Sequence, residues 1–138
     1  MRRNDFALLI LRLTLAVVVW PHGAQKALGL FGGYGIAGTV NGLSSHLGVP
    51  VLLAYVVIAV EFLAPIALVL GVFTRLAALG VAIDMAVAAY MVHLPNGFFM
   101  NFAGNQKGEG IEYFIYAVGV ALALVVAGPG RAAVLPKT

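Results

Sequence analysis

YVVIAVEFLAPIALVLG, residues 55–71, is apolar or small at every position except Glu61. A run of this kind is suited to hydrocarbon, and the carboxylate near its centre is the feature that needs a reason. A charged side chain at the middle of a bilayer costs about 2.5–3.5 kcal/mol on insertion scales. It is tolerated when it faces inward and meets a partner. The fold must therefore have a membrane-embedded interior, and the rest of the chain has to supply the walls of one.

The composition supports this. The chain is 62% hydrophobic and 9% charged, with a mean hydropathy of +1.04. A soluble domain is about a quarter charged, and 138 residues could not hide so much apolar surface from water. Four segments have the roughly 17–25 residues that a helix needs to cross about 30 Å of hydrocarbon. They run from about Phe6 to Leu28, Val51 to Val72, Arg75 to His93 and Ile111 to Ala127. None alternates with the period of two that a barrel strand needs. The start, MRRNDFALLILRLTLAVVVW, imitates a secretory signal. Arg12 breaks its apolar run and WPHGAQK stands where a cleavage site would be, so the sequence predicts a retained helix. The expected fold is all-α: one integral membrane domain over residues 1–138, a four-helix bundle running up-down-up-down.

The loops orient it. VFTR is a tight turn, whereas Gly29–Pro50 and Leu94–Gly110 are long and fall on the opposite face. Within the first, Ile36, Val40, Leu43 and Leu47 recur at helical spacing, which predicts a short amphipathic helix in the membrane interface. Arg2, Arg3, Arg75, Arg131 and Lys137 lie on the face of the termini, against Lys26 and Lys107 opposite, so both termini are expected in the cytoplasm. The net charge of +3 thus reports topology and gives no reason to expect nucleic acid. The absence of cysteine excludes disulfides, thiolate metal sites and iron–sulfur clusters on this chain.

Each predicted helix carries one ionisable group in or near the membrane: Arg12, Glu61, Asp84 and Glu112. The simplest arrangement turns all four inward. Counted at 1.5 Å per residue, Arg12, Glu61 and Asp84 fall within roughly 8 Å of one height, so Arg12 is expected to pair with Glu61. One guanidinium then faces two carboxylates, which favours keeping one of them protonated. The three are candidates for catalytic proton handling; the plainer reading is interhelical glue, worth about 0.6–2 kcal/mol per contact. Nearer the long-loop face, Trp20, His22, Lys26, His93 and Glu112 offer an aromatic plate and polar donors for a quinone ring, with Phe98 and Phe99 as a lid. Their plainer reading is an interfacial anchor. On an ideal helix His93 lies opposite Asp84, so it joins the cluster only if the helix unwinds before HLPNG, where Pro95 and Gly97 favour that. Two histidines near one face raise haem or metal, but no third ligand is spaced for it, and neither is favoured. GYGIAG, residues 33–38, is literally G-x-G-x-x-G, yet no strand precedes it, and it reads as a loop.

LRLTLAVVVWPHGAQKALGLFGG, AVEFLAPIALVLGVFTRLAAL, VHLPNGFF and GIEYFIYAVGVALALVVAGPGR resemble successive signature segments of the DoxX family. By that resemblance Arg12, His22, Lys26, Glu61, Arg75, His93, Asn96, Gly97, Phe98, Phe99, Glu112 and Tyr113 match recurrent positions. The resemblance implies a multi-pass protein of the bacterial inner membrane in contact with lipid. Some members resemble membrane subunits of thiosulfate:quinone oxidoreductase, others work beside soluble redox partners, and remote relatives are membrane chaperones or cargo factors. Two readings follow: a quinone-interacting or anchoring component of a membrane oxidoreductase system, with a partner redox subunit, or a non-catalytic scaffold that helps another membrane protein assemble. Self-association is left open by both.

Overall fold

In lipid a backbone has no water to bond, so each segment must satisfy its own N–H and C=O groups, as helices do. The computed structural model describes Met1–Thr138 in full and contains helices and no strand. The helices are α1 (Arg3–Leu28), α2 (Gly35–Leu47), α3 (Val51–Leu70), α4 (Thr74–Ala88) and α5 (Glu112–Ala127). Beyond Ala88, α4 continues through a π turn, Ala89–His93, and a 3-10 turn, Leu94–Asn96. Three helical stretches, Arg3–Leu28, Val51–Leu70 and Thr74–Asn96, are long and apolar enough to cross a membrane; α5, with 16 residues, is a shorter apolar helix.

The helices pack as two close pairs, α1 with α3 and α4 with α5, joined through α3–α4 and α1–α5 contacts. Both pairs are antiparallel. Arg12 meets Leu68 while Gly23 meets Glu61, and Arg75 meets Val125 while His93 meets Phe114. The core between them is built of small residues such as Ala16, Ala64, Ala78, Ala82, Ala117 and Ala121. Lipid tails are as apolar as leucine, so helices associate there by close backbone approach and dispersion rather than by escape from water. Gly23 is the tightest case: a Cβ at that position would run into the Glu61 carbonyl. Ile10, Val17, Leu52, Leu63, Leu76 and Val126 are largely exposed and give the bundle a continuous apolar exterior suited to a lipid surround.

At the end that holds both termini, residues 128–138 fold back under the bundle. The Val134 and Leu135 N–H groups donate to the Leu70 and Gly71 carbonyls at 2.9 and 3.1 Å, meeting acceptors that α3's own ladder leaves free. The Arg12 guanidinium, fully buried, donates to the Leu68 carbonyl at 3.1 Å and to the Ala132 carbonyl. Gly71 has φ 70°, and a Cβ there would strike the Arg12 guanidinium and Ala133, so the turn admits only glycine without rearrangement. Asp5 accepts from the backbone N–H of Arg2 and of Arg131 at 2.8 and 3.0 Å. Arg75 donates to the last carbonyls of α5, Val125 and Val126, both at 2.6 Å, placing a cation at a helix C-terminus.

The expected Arg12–Glu61 pair is therefore not formed. The height count took α1 and α3 as flush at the terminal face. In fact α3 stops level with Arg12, about nine residues into α1, and the tail fills the space beneath. Gly23 is the residue level with Glu61, about 16 Å above Arg12 at 1.5 Å per residue. The helix expected within the first long loop is present as α2, lying against α1 and α3. Its apolar positions divide: Val40 and Leu43 are half-buried, whereas Ile36 and Leu47 stay exposed, and the one buried residue is the polar Thr39.

Candidate functional site

The close approach at Gly23 brings Glu61 of α3 against α1, and one turn further Lys26 reaches it. Lys26 Nζ lies 2.5 Å from Glu61 Oε2, with the carboxylate nearly buried and the lysine side chain 25% exposed. This pair is what makes the buried glutamate tolerable. Asp84 of α4 and Tyr113 of α5 come near enough to Glu61 for its charge to act on both. Asp84 Oδ2 and the Tyr113 hydroxyl are buried without a hydrogen-bond partner, and the Lys26 contact is all that Glu61 Oε2 has. Buried polar atoms left without protein partners are places where water or a ligand can bond.

His93 joins this group through the π turn. In an α-helix each residue turns by 100°, which leaves His93 opposite Asp84; the wider i→i+5 turn at Ala89–His93 advances less per residue and swings the ring toward α5. It stacks on Phe114, centroids 4.4 Å apart and planes tilted by 32°. His93 Nδ1 lies 2.9 Å from the Glu109 carbonyl. A carbonyl only accepts, so Nδ1 carries the hydrogen, and in the neutral ring Nε2 remains an acceptor. Asn96 donates to the same carbonyl at 3.1 Å. The loop that carries Glu109 is tied to itself: the Asn101 N–H donates to the Glu109 carboxylate, and the Gln106 amide to the Phe99 and Gly108 carbonyls. Its two strands of chain are held together where Ile111 and Glu112 donate to the Gly97 and Phe98 carbonyls.

These elements enclose a cavity of about 360 Å3 lined by His22, Lys26, Glu61, Met85, Ala88, His93, Met100, Glu109, Tyr113 and Phe114. That is the size and mixture of a small-molecule site: apolar walls with a few convergent polar groups. Of the residues expected from sequence, His22, Lys26, Glu61, His93 and Tyr113 converge here, with Asp84 close to Glu61. Others do not. Arg12 is at the base on backbone carbonyls. Trp20 packs on Phe62, ring centroids 6.1 Å apart, along a separate apolar groove between α1 and α3. Phe98 and Phe99 stack edge-on at 5.1 Å and stay exposed, and Met100, the next residue, closes the cavity instead. Glu112 lines a different groove with Phe98, Ile115 and Tyr116, because α5 begins there and turns Tyr113 and Phe114 inward. Glu109 precedes α5 in the loop, whose hydrogen bonds deliver it to the cavity. The sequence did not single out Met85, Ala88, Met100, Glu109 or Phe114. The signal for Phe114 and Met85 was adjacency to Tyr113 and Asp84; nothing in the sequence marked Met100.

The family model described as DoxX matches residues 7–94, a stretch that contains His22, Lys26, Glu61, Asp84 and His93. Comparison with curated proteins and with solved structures finds no match.

Proposed function

The chain belongs to the DoxX family, and from that premise we propose a multi-pass protein of the bacterial inner membrane whose cavity receives a quinone headgroup within a membrane oxidoreductase system. The cavity itself carries the reading. A quinone ring is flat and apolar with an oxygen at either end, and it needs apolar walls and a donor for each oxygen. Met85, Ala88 and Phe114 form such walls, and Lys26, Tyr113 and His22 are donors on the same cavity. The unpartnered Tyr113 hydroxyl fits this requirement, and so does His93, whose free Nε2 accepts from the hydroxyl of a reduced ring. When bound, a quinone supplies two-electron, two-proton redox chemistry. Electrons then come from a donor protein, because this chain has no thiolates for an iron–sulfur cluster. The chain's own residues do the rest. Phe114 and Met85 position the ring and exclude water. Lys26 donates a hydrogen bond to a ring oxygen, and Glu61 and Asp84, beside that ammonium, hold or pass protons.

In this reading α5 completes a fourth crossing. Its 16 residues rise about 24 Å, and the hydrogen-bonded loop above and the Gly128 turn below make up the remainder. The excess of basic residues on the face of the termini supports a topology with both ends in the cytoplasm and the cavity mouth on the opposite side. A second reading, a scaffold for another membrane protein, draws on the same loop: Phe99 and Phe102 are 68% and 91% exposed on a segment braced by Asn96, Asn101 and Gln106.

Purification in mild detergent distinguishes the two. A quinone protein carries extractable quinone, and its unfolding temperature rises on adding a dimethoxy-methyl benzoquinone. Lys26→Met and His93→Phe should abolish that rise. Wild-type protein that ignores quinone and holds a stoichiometric protein partner through the loop would establish the scaffold instead.

A further inference from the structure

Phe114 has two sides. One faces the polar cavity beside His93; the other borders a groove of about 480 Å3 on the outer seam between α4 and α5. Nine of the ten residues lining this groove are hydrophobic. It runs from Leu94 and Ile111, beside the cavity, to Leu122, about 16 Å along α5 at 1.5 Å per residue. Two features hold the seam open. Ala89 and Tyr90, on the α4 wall, belong to the π turn that brings His93 to the cavity. Gly119, on the α5 wall, has no atom within 4 Å of where its Cβ would stand.

A polar chamber and an apolar channel thus share one aromatic wall. We propose that the groove is the tail subsite for the molecule whose head occupies the cavity, so that the ligand is a long-chain quinone entering from the membrane between α4 and α5. The proposal rests on the headgroup reading above. The charges around the cavity select against a phospholipid: its one lysine is already paired with Glu61, and Asp84 and Glu109 add further carboxyl groups. An anionic phosphodiester is repelled there, whereas an uncharged ring is not. The tail lies against Ile115, Val118 and Leu122, and Phe114 stands where head and tail join.

The test uses the full chain in nanodiscs and two probes, a tail-less dimethoxy-methyl benzoquinone and its decyl derivative. Gly119→Phe fills the groove from α5 into open space, and Ala86→Phe narrows it from the exposed face of α4. Nanodisc lipid is as apolar as the groove, so a displaced chain loses packing contacts rather than shelter from water, a weakening of about fivefold. Each variant should therefore raise the Kd of the decyl quinone about fivefold and leave that of the tail-less probe unchanged. A decyl derivative carrying a photoreactive group at its chain end should label residues near Leu122. If both variants bind the decyl probe as wild type does, or if both probes weaken equally, the groove is not the tail subsite. If wild type binds neither probe, the headgroup reading falls, and the groove's occupant with it.

Discussion

The two ends of the bundle treat buried polar groups in opposite ways. At the base, side chains are matched to backbone: Arg12 to the Leu68 and Ala132 carbonyls, Asp5 to the Arg2 and Arg131 amides, Arg75 to the end of α5. Arg12 Nε and the Thr74 hydroxyl lack partners there, but neither lines any of the cavities described above. At the mouth, Lys26 and Glu61 meet side chain to side chain, His93 and Asn96 share the Glu109 carbonyl, and Glu61 and Tyr113 present incompletely bonded atoms to an open chamber. Backbone carbonyls are fixed acceptors that cannot titrate or leave, so the base behaves as a clasp. A lysine, two carboxyl groups, a phenol and a histidine can exchange protons and partners, so the mouth is suited to chemistry.

Arg12→Met is the most severe way to break this contrast. It removes charged donors from two carbonyls on separate segments, a loss of about 3–5 kcal/mol, and thermal unfolding in detergent should show it as collapse of the folded species. Arg12→Lys should not restore it, since one ammonium lacks the fork that reaches both α3 and the tail. Stability unchanged in Arg12→Met would mean that the base is not a clasp. Lys26→Met ranks second. It strands Glu61, but the lysine is partly exposed, so the cost is discounted to about 2 kcal/mol. The double variant Lys26→Met/Glu61→Gln should recover at least half of that stability while still failing to bind quinone, because it removes the stranded charge without restoring the donor. Recovery of binding together with stability would count against the role given to Lys26.

The sequence revealed the helices and half of the residues at the mouth, but not the base. Hydropathy located the three long helices and the shorter α5, and three- and four-residue spacing located α2, because both depend on residues near in sequence. His22, Lys26, Glu61 and His93 were legible as ionisable groups at membrane depth. Their pairing was not, because it depends on how far α1 slides past α3. That register is fixed by Gly23 against the Glu61 carbonyl and by residues 128–138 beneath α3. The tail binds through backbone groups, which every sequence carries alike, so no side-chain pattern announces it. The same holds for Glu109, brought to the cavity by loop hydrogen bonds to main-chain atoms.

That register can be tested at one atom. Gly23→Ala places a methyl in the space of the Glu61 carbonyl, and overpacking of this kind costs about 1–2 kcal/mol. Because α1 and α3 must separate, Lys26 and Glu61 move apart too, so quinone binding should fall along with stability. Gly42→Ala, on α2 where a Cβ meets open space, is the control and should leave both unchanged. A Gly23→Ala protein that loses stability but binds quinone fully would show that the cavity does not depend on the α1–α3 register.

The smallest expected effect tests whether the loop belongs to the mouth or merely covers it. Asn96 donates one hydrogen bond to the Glu109 carbonyl, which also fixes the His93 tautomer. Asn96→Ala leaves that carbonyl to His93 alone, at a net cost of about 1 kcal/mol. The base, with its own contacts, should be unaffected, so amide exchange should quicken across residues 97–111 and stay unchanged in the tail. Quinone binding should weaken only a few-fold, since His93 keeps its partner. If Asn96→Ala destabilises the protein as much as Lys26→Met, the loop braces the whole bundle, and the division between a clasped base and an adaptable mouth fails. If amide exchange in the loop does not change, Glu109 is held by its Asn101 contact instead, and His93 is positioned by the π turn alone.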